Sequence, residues 1–538
     1  MLALAGTWLL LWLVMQPAGN TPFNDDWAYA FAARSIAETG QFRLTGFSAP
    51  NLIAQAYWGA LFCLPFGFSF TALHASTLAL AVAGLLAAFK LMRELGAGPL
   101  TAAACALTLG CNPLFLQLSA TFMTDVPFAS LSIVFLWLHL RGTNRHSPVT
   151  IAAAFAAALA ATFIRQFGLF LPLAFAAALI VRRGVTWPTL AQAILPLALF
   201  TGLHILFQHW VIATGRAPRF NEALGSLAHV SLKARLPIVK HFATAMIPYV
   251  GLFLLPILPA LIRAAPARKT TFWLASILLA LALVAGLAHA HEFVPSLGNL
   301  LRPYGLGPLT LRDTFLLAQN EPIRPEADLA WTTLTLLAAW ATAITALLLL
   351  DPVIALLRRP HPSLWPQAMM LTFIAANLGA IAVATLLDDV FDRYLLALVI
   401  PLCALLHLTL QPGDRALKRH WPALAPLAAC ALFAVAAAHD YFAFNRARWS
   451  AIDALIAQGT PPTAIDGGFE YGGWTMFDLA YRERPGISWW WVQDDAYVIA
   501  LGPIPGRTTV AQVDFPHWLW PDTATIHVLR RNKATSAT

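Results

Sequence analysis

The sequence predicts an α-helical polytopic membrane protein of about thirteen transmembrane helices, with a small C-terminal α/β domain outside the membrane. Hydrophobic residues make up 59% of the 538 residues and charged residues only 11%, whereas soluble domains average about 25% charged residues. The basic residues fall in short clusters between apolar runs, and the long apolar runs stop near residue 440. Because such clusters orient a membrane protein, the net charge of +8 does not indicate a nucleic-acid partner.

Apolar runs of about spanning length, roughly 20 residues for a helix, mark the predicted spans. They lie at 1–18, 70–92, 99–120, 126–141, 148–164, 167–182, 187–213, 244–262, 270–289, 329–350, 366–387, 394–411 and 421–440. The first run lacks a basic flank, so we interpret it as a span, with a signal peptide as the alternative. The 51–69 run contains Pro65 and Gly67, and we expect an interfacial or re-entrant helix there.

Clusters of Lys and Arg follow every second predicted span. They are Lys90/Arg93, Arg141/Arg145, Arg182/Arg183, Arg263/Arg268/Lys269, Arg358/Arg359 and Arg415/Lys418/Arg419. The positive-inside rule makes their side cytoplasmic. The opposite, periplasm-like side then receives the acidic pair at 25–26, the loops at 213–243 and 290–328, and the chain from 441 onward.

We divide the chain into a transmembrane domain, 1–440, and an outer α/β domain, 441–538. The segment NRARWSAIDALIAQG predicts a short amphipathic helix, and strands are predicted in TAIDGGFEYGGW, AYVIALG, TVAQVDF and ATIHVLR. The tryptophans of this region suit a carbohydrate site, the membrane interface or a core, and core filling is the favoured interpretation. The five cysteines lie within or beside apolar runs and predict neither disulfides nor a zinc site.

Two adjacent acids, Asp25 and Asp26, are the first candidates for a functional site. An acid at a bilayer boundary costs free energy unless it faces water or a partner. The alternative is helix capping, with Asn24 as the cap and both acids in the first turn. Asp25 shares a helix face with Tyr29, four residues later. We expect the helix dipole to lower the pKa of Asp25.

Further candidates lie at the same predicted boundary. Asp125 in FMTDVPF is either an N-cap or a second site carboxylate. Arg165 in TFIRQFG either reaches the headgroups or binds phosphate, whose oxygens a guanidinium matches. Arg393 and Tyr394 in LLDDVFDRYLLALVIPL belong either to local ion pairs or to the site. The HAHEF segment, with His289, His291 and Glu292, is a weak metal candidate because its spacing fits no standard metalloenzyme helix.

The acidic pair, Tyr29 and the following AARSIAETGQF resemble the first outer loop of C-type (GT-C) membrane glycosyltransferases, which include the protein O-mannosyltransferases and the lipid A aminoarabinose transferases. The MTDVP and DRYLLALVIP segments also resemble that superfamily. The resemblance implies inverting transfer of a hexosyl or pentosyl group from a polyprenyl-phosphate donor to a hydroxyl of a glycan, lipid or protein. It implies that Asp25 is the catalytic base, Asp26 the second acid and Tyr29 the conserved aromatic position.

The sequence also departs from that superfamily. Many relatives carry a basic element where residues 48–59 contain no lysine, and His74 stands where an arginine is common. Arg165 and Arg393 are therefore phosphate candidates by charge and side, and Asp125 and Tyr394 are substrate-binding candidates beside them. The superfamily leaves a divalent cation open, and no metal ligand is assigned. We expect the protein to be a multi-pass protein of the inner membrane of a cell envelope. Its catalytic face and C-terminal domain are expected on the periplasmic side, opposite the basic clusters. A transporter or flippase of lipid-linked saccharides and a non-catalytic scaffold are the alternatives.

Overall fold

A computed structural model describes residues 1–17, 19–48, 51–217, 244–264, 268–290, 293–358, 360–385, 390–419 and 421–532. Its α-helices are α1 (Leu2–Val14), α2 (Asp26–Thr39), α3 (Ile53–Cys63), α4 (Phe70–Glu94), α5 (Pro99–Gly110), α6 (Pro113–Leu118), α7 (Asp125–Asn144), α8 (Pro148–Thr162), α9 (Phe170–Arg183), α10 (Trp187–Ala213), α11 (Thr244–Leu254), α12 (Leu258–Ala264), α13 (Thr270–Ala290), α14 (Pro325–Arg358), α15 (Trp365–Ala384), α16 (Val399–Leu410), α17 (Asp414–Arg419), α18 (Ala425–Ala457) and α19 (Phe469–Met476). The β-strands are β1 (Leu301–Arg302), β2 (Gly305–Leu306), β3 (Ile465–Asp466), β4 (Tyr497–Ala500), β5 (Arg507–Pro516) and β6 (Thr523–Arg531).

The predicted class, a polytopic α-helical membrane protein, is confirmed. Within the described ranges, 9 helices are long and apolar enough to cross a membrane, and four shorter apolar helices accompany them. Each of the predicted spans overlaps one of these helices. The 51–69 run holds the 11-residue helix α3, too short to span, as expected for an interfacial or re-entrant segment.

The predicted span at 99–120 is divided into two helices, α5 and α6. The Asn112 side chain accepts hydrogen bonds from the backbone N–H groups of Leu114 and Phe115, so it caps a new helix. Pro113 follows as the first residue of α6, and its ring cannot continue the helix before it. The span is therefore broken at a point where the sequence carries a cap and a proline.

The ends of α4 and α7 show how the basic clusters lie relative to the acids. The Glu94 carboxylate at the end of α4 lies 3.0 Å from the Arg141 guanidinium at the end of α7. At the start of α4, His74 contacts Asp26, and α7 begins at Asp125. The two helices therefore run in the same direction, with the acids at one end and the basic clusters at the other.

This arrangement agrees with the predicted topology and leads to a direct test. We expect a reporter that is active only in the periplasm to work when fused after residue 538, because the chain from 441 onward follows an odd-numbered span. The same reporter fused after Arg358, at the basic end of α14, should be silent. A cytoplasm-specific reporter that is active after residue 538 would show that the orientation is inverted.

The C-terminal part carries the predicted small sheet. The sheet has four strands in the order β3-β4-β6-β5, with β3 parallel to β4 and the other pairs antiparallel. The amphipathic segment predicted after residue 440 is the second half of α18, which continues the last span without interruption. The proposed boundary at 440/441 thus falls inside a helix, and the division into two domains stays a prediction.

One predicted strand, TAIDGGFEYGGW, is mostly wrong, because only Ile465–Asp466 forms a strand and FEYGGWTM forms α19. Two glycines let α19 pack closely. A Cβ atom at Gly473 would lie 2.3 Å from the Trp27 ring, and one at Gly472 would lie 2.3 Å from the Trp490 carbonyl oxygen. Tertiary packing against α2 thus selects the helix over the local strand pattern.

Candidate active site

Asp25 stands at the N-cap position of α2, but its side chain makes no capping hydrogen bond. Its carboxylate lies 3.3 Å from Nη2 of Arg393. Asn24 does not cap α2 either, because its side-chain amide donates to Oδ1 of Asn299 at 3.4 Å. The capping interpretation is therefore wrong for Asn24 and Asp25, although Asp26 does lie in the first turn of α2. Asp25 instead faces a charged partner across the fold.

Asp125 lies between two arginines. Its Oδ1 accepts a 2.6 Å hydrogen bond from Arg165, and its Oδ2 lies 3.4 Å from Nε of Arg393. The contact between Oδ2 of Asp125 and Nε of Arg393 lacks hydrogen-bond geometry. Both atoms are therefore buried without a hydrogen bond. Thr124, not Asp125, is the N-cap residue of α7. The N-cap interpretation of Asp125 is wrong, and two carboxylates and two guanidinium groups form one cluster.

Aromatic rings pack against the two arginines of this cluster. The Arg165 guanidinium lies 4.5 Å from the centre of the Tyr394 ring, and that of Arg393 lies 4.3 Å from the centre of the Phe391 ring. The side chains of Arg165 and Arg393 are 13% and 4% exposed. Arg165 is therefore a largely buried cation that pairs with Asp125, and it does not reach outward to the headgroups as the alternative interpretation required.

A small cavity of about 10 Å³ adjoins the two arginines. Its lining consists of Asp125, Phe128, Arg165, Phe167, Arg393, Tyr394 and Ala397. A cavity of this size holds about one water molecule, so any larger ligand requires the side chains to move.

Asp26 has quite different surroundings from Asp25. It is fully buried, and its carboxylate accepts the backbone N–H groups of Phe23 at 2.5 Å and of Phe122 at 3.3 Å. Nε2 of His74 lies 3.3 Å from the same carboxylate. These contacts join the first loop to α4 and to the segment before α7. A catalytic role for Asp26 stays a prediction, and the contacts themselves are those of a residue that holds the loop.

Burial raises the pKa of Asp25 to about 6, although the Arg393 guanidinium opposes the shift and Asp125 adds to it. The expected lowering of the Asp25 pKa is wrong, because desolvation is the largest contribution and raises this pKa. Burial raises the pKa of Tyr29 well above its usual range, and the charge of Asp25 adds to this shift. That Tyr29 and Asp25 share one face of α2 stays a prediction.

Several residues at the site were not predicted. Asn299 accepts a hydrogen bond from Arg393, and Glu470 accepts the backbone N–H of Asn24 at 3.1 Å. Asp392 accepts the N–H groups of Leu301 and Arg393, both at 2.8 Å. Asn299 and Glu470 lie far along the chain from Asp25 in segments without a motif, so no local signal indicated them.

The residues present do not suit a divalent cation between the site carboxylates. The position between Asp25 and Asp125 is held by the Arg393 guanidinium. In the described part of the chain, no three His, Cys, Asp or Glu side chains form a metal-binding group. His291 and Glu292 of the weak metal candidate lie outside the described residues, as do Asp388, Asp389 and the 218–243 part of the long loop.

No protein-family model matches the chain, and the search of curated proteins also finds no match. Among solved structures, the chain is similar to ArnT from Cupriavidus metallidurans, with 16% identity over 87% of this chain and 83% of that one and a TM-score of 0.40. It is also similar to the oligosaccharyltransferase of Archaeoglobus fulgidus, with 15% identity, 85% and 57% coverage and a TM-score of 0.44. A third similar structure is the arabinosyltransferase EmbB from Mycobacterium smegmatis, with 14% identity, 80% and 42% coverage and a TM-score of 0.29.

Two of these three structures are of enzymes whose names describe glycosyl transfer, an oligosaccharyltransferase and an arabinosyltransferase. At TM-scores below 0.5, the likeness carries no argument about the reaction. A functional assignment therefore has to rest on the chemistry of the cluster itself.

Proposed function

We propose that the protein is an inverting membrane glycosyltransferase that moves a hexosyl or pentosyl group from a polyprenyl-phosphate donor to an acceptor hydroxyl. We place the reaction at the periplasmic face of the inner membrane, with a glycan, lipid or protein as acceptor. One observation carries the proposal: Asp25 makes no capping hydrogen bond but joins Asp125, Arg165 and Arg393 in one largely buried cluster. That cluster brings a candidate base next to two candidate phosphate ligands.

Asp25 has the properties of a general base. Its side chain is 21% exposed, so an acceptor hydroxyl can reach it. With its pKa raised to about 6, the carboxylate is ionised at neutral pH and is more basic than an ordinary aspartate. In the proposed step, the hydroxyl oxygen bonds to the anomeric carbon while Asp25 takes the hydroxyl proton. The bond from that carbon to the phosphate oxygen breaks, and the polyprenyl phosphate leaves with the electron pair.

The leaving phosphate needs positive charge nearby, which Arg165 and Arg393 supply. Both guanidinium groups face carboxylates in this structure, so the donor phosphate has to compete with Asp25 and Asp125 for them. Arg393 has a buried Nε without a hydrogen bond, which a phosphate oxygen can satisfy. As Arg393 turns to the phosphate, Asp25 loses its main stabilising cation and becomes a stronger base.

The pH dependence of turnover tests this assignment. Below a pH of about 6 Asp25 is protonated and cannot accept a proton, so kcat/KM should rise with pH up to about 6 and then level off. If the donor phosphate draws Arg393 away, the acidic limb of kcat should lie at higher pH than that of kcat/KM. The assay measures undecaprenyl phosphate released from sugar-loaded undecaprenyl phosphate by the protein in nanodiscs. A rate that is flat between pH 4.5 and pH 8, at about constant protein stability, would contradict Asp25 as the base.

A further inference from the structure

We infer that Glu470, in the C-terminal part of the chain, is a positioning residue that fixes the loop carrying Asp25, an inference that rests on the proposed function. Glu470 is fully buried in α19. Its Oε1 accepts the backbone N–H of Asn24 at 3.1 Å, one residue before Asp25. The short helix α19 also packs on α2 through Gly473 and Trp27. A carboxylate oxygen of Glu470 thus binds the backbone of Asn24, the residue before the proposed base.

Glu470 is itself held by several elements. Its Oε2 lies 2.9 Å from Nη1 of Arg448, and both side chains are completely buried. The Thr310 hydroxyl donates to the same oxygen, and Nε of Arg448 donates to the Gly467 carbonyl oxygen at 2.8 Å. The carboxylate therefore has little freedom, which is what a residue that orients another group requires.

The hydrogen bonds that begin at Glu470 continue through Asn24 to Arg393. Asn24 has a φ of +51°, a left-handed conformation that is uncommon outside glycine and most tolerated by Asn and Asp. Its backbone N–H is bound by Glu470, and its side-chain amide donates to Oδ1 of Asn299. The same Asn299 oxygen accepts a hydrogen bond from Arg393. The loop before Asp25 and the cation that faces Asp25 are thus fixed by one connected set of hydrogen bonds.

A purely structural role for the Glu470–Arg448 pair makes a different prediction. A buried ion pair is weak evidence for stability, because apolar side chains of similar size often replace such a pair without loss. The Asn24 N–H, in contrast, needs an oxygen acceptor at this position. A substitution that removes the charges but keeps an acceptor therefore separates the two roles.

Two matched double variants make this test. Arg448→Met/Glu470→Gln removes both charges and keeps an amide oxygen for Asn24, whereas Arg448→Met/Glu470→Met removes the acceptor as well. We expect the Gln variant to keep kcat within about threefold of wild type. The Met variant should lose about 10- to 100-fold in kcat, because a small misplacement of a reacting group is costly. Undecaprenyl phosphate, as the binding probe, should bind both with unchanged Kd.

Equal kcat values for the two folded double variants would overturn the inference. If the Met variant fails to fold, Glu470→Asp replaces it, because this change keeps a carboxylate for Arg448 but withdraws the oxygen from Asn24. We expect a similar loss of kcat for Glu470→Asp, and wild-type kcat would again overturn the inference. Failure of the proposed function looks different, since Asp25→Asn would then be fully active whatever the double variants do.

Discussion

We expect Asp25→Asn to lower the rate of sugar transfer by about 10² to 10⁴-fold, the usual contribution of a positioned general base. The amide has the size of the carboxylate but accepts no proton at neutral pH. The variant should fold normally, because Asp25 makes no capping hydrogen bond that the change would remove. Purified protein in nanodiscs gives both the rate and the melting temperature.

The stability of this variant provides a second, independent outcome. The pKa of Asp25 is raised from 3.8 to about 6 in the folded protein, so its ionisation costs up to about 3 kcal/mol of folding free energy. The cost is absent below the unfolded pKa of 3.8 and is complete above about 6. Asp25→Asn should therefore raise the melting temperature at pH 8 relative to wild type and have little effect near pH 4.

Asp26→Asn is the matched control, since it makes the same chemical change at the adjacent residue. Asp26 accepts two backbone N–H groups and contacts His74, and an amide has only one acceptor oxygen. We expect this variant to lose stability, by about 1–3 kcal/mol, and to lose less activity than Asp25→Asn. If Asp25→Asn and Asp26→Asn had equal activity and equal stability, the different contacts of the two aspartates would not reflect different roles.

The second large effect concerns the arginines. Arg165→Ala and Arg393→Ala should each weaken donor binding by about 10- to 100-fold, because a charge-assisted contact to a buried phosphate contributes about 1.5–3 kcal/mol. Arg393→Ala should also move the acidic limb of kcat/KM to higher pH, since Arg393 is the cation that lowers the pKa of Asp25. Arg165 pairs with Asp125 and should leave that limb in place.

Arg34→Ala is the control for these measurements. Arg34 lies on α2 but is exposed and pairs with Glu38 one turn away, an interaction that contributes little. Its loss should not change donor affinity. If Arg165→Ala and Arg393→Ala also bind undecaprenyl phosphate with wild-type Kd and turn over normally, neither arginine is a donor ligand.

The sequence predicted the membrane fold well because a span is a local property, a run of about 20 apolar residues. The same alternation of basic clusters placed Asp25, Asp125, Arg165 and Arg393 at one end of the spans, where the structure brings them into contact. A charge pattern along the chain is enough to predict which side a residue occupies.

Properties that depend on distant contacts were not predicted. Glu470 lies 446 residues from Asn24, in a segment predicted as a strand, and its contact with Asn24 forms only when α19 packs on α2. The expected sign of the Asp25 pKa shift was also wrong, because burial is the largest contribution and raises this pKa. Contacts between segments far apart in the sequence therefore decide both the partners and the pKa of Asp25.

The most direct test of the central claim follows both products of one reaction. The protein in sealed vesicles is given a panel of undecaprenyl phosphates loaded with hexoses or pentoses, together with a cell-envelope extract as acceptor. We expect undecaprenyl phosphate and a new glycoside to appear in equal amounts, with the anomeric configuration inverted, and both to form about 10² to 10⁴-fold more slowly with Asp25→Asn. Movement of intact sugar-loaded lipid across the bilayer without release of undecaprenyl phosphate would contradict transfer and identify a transporter.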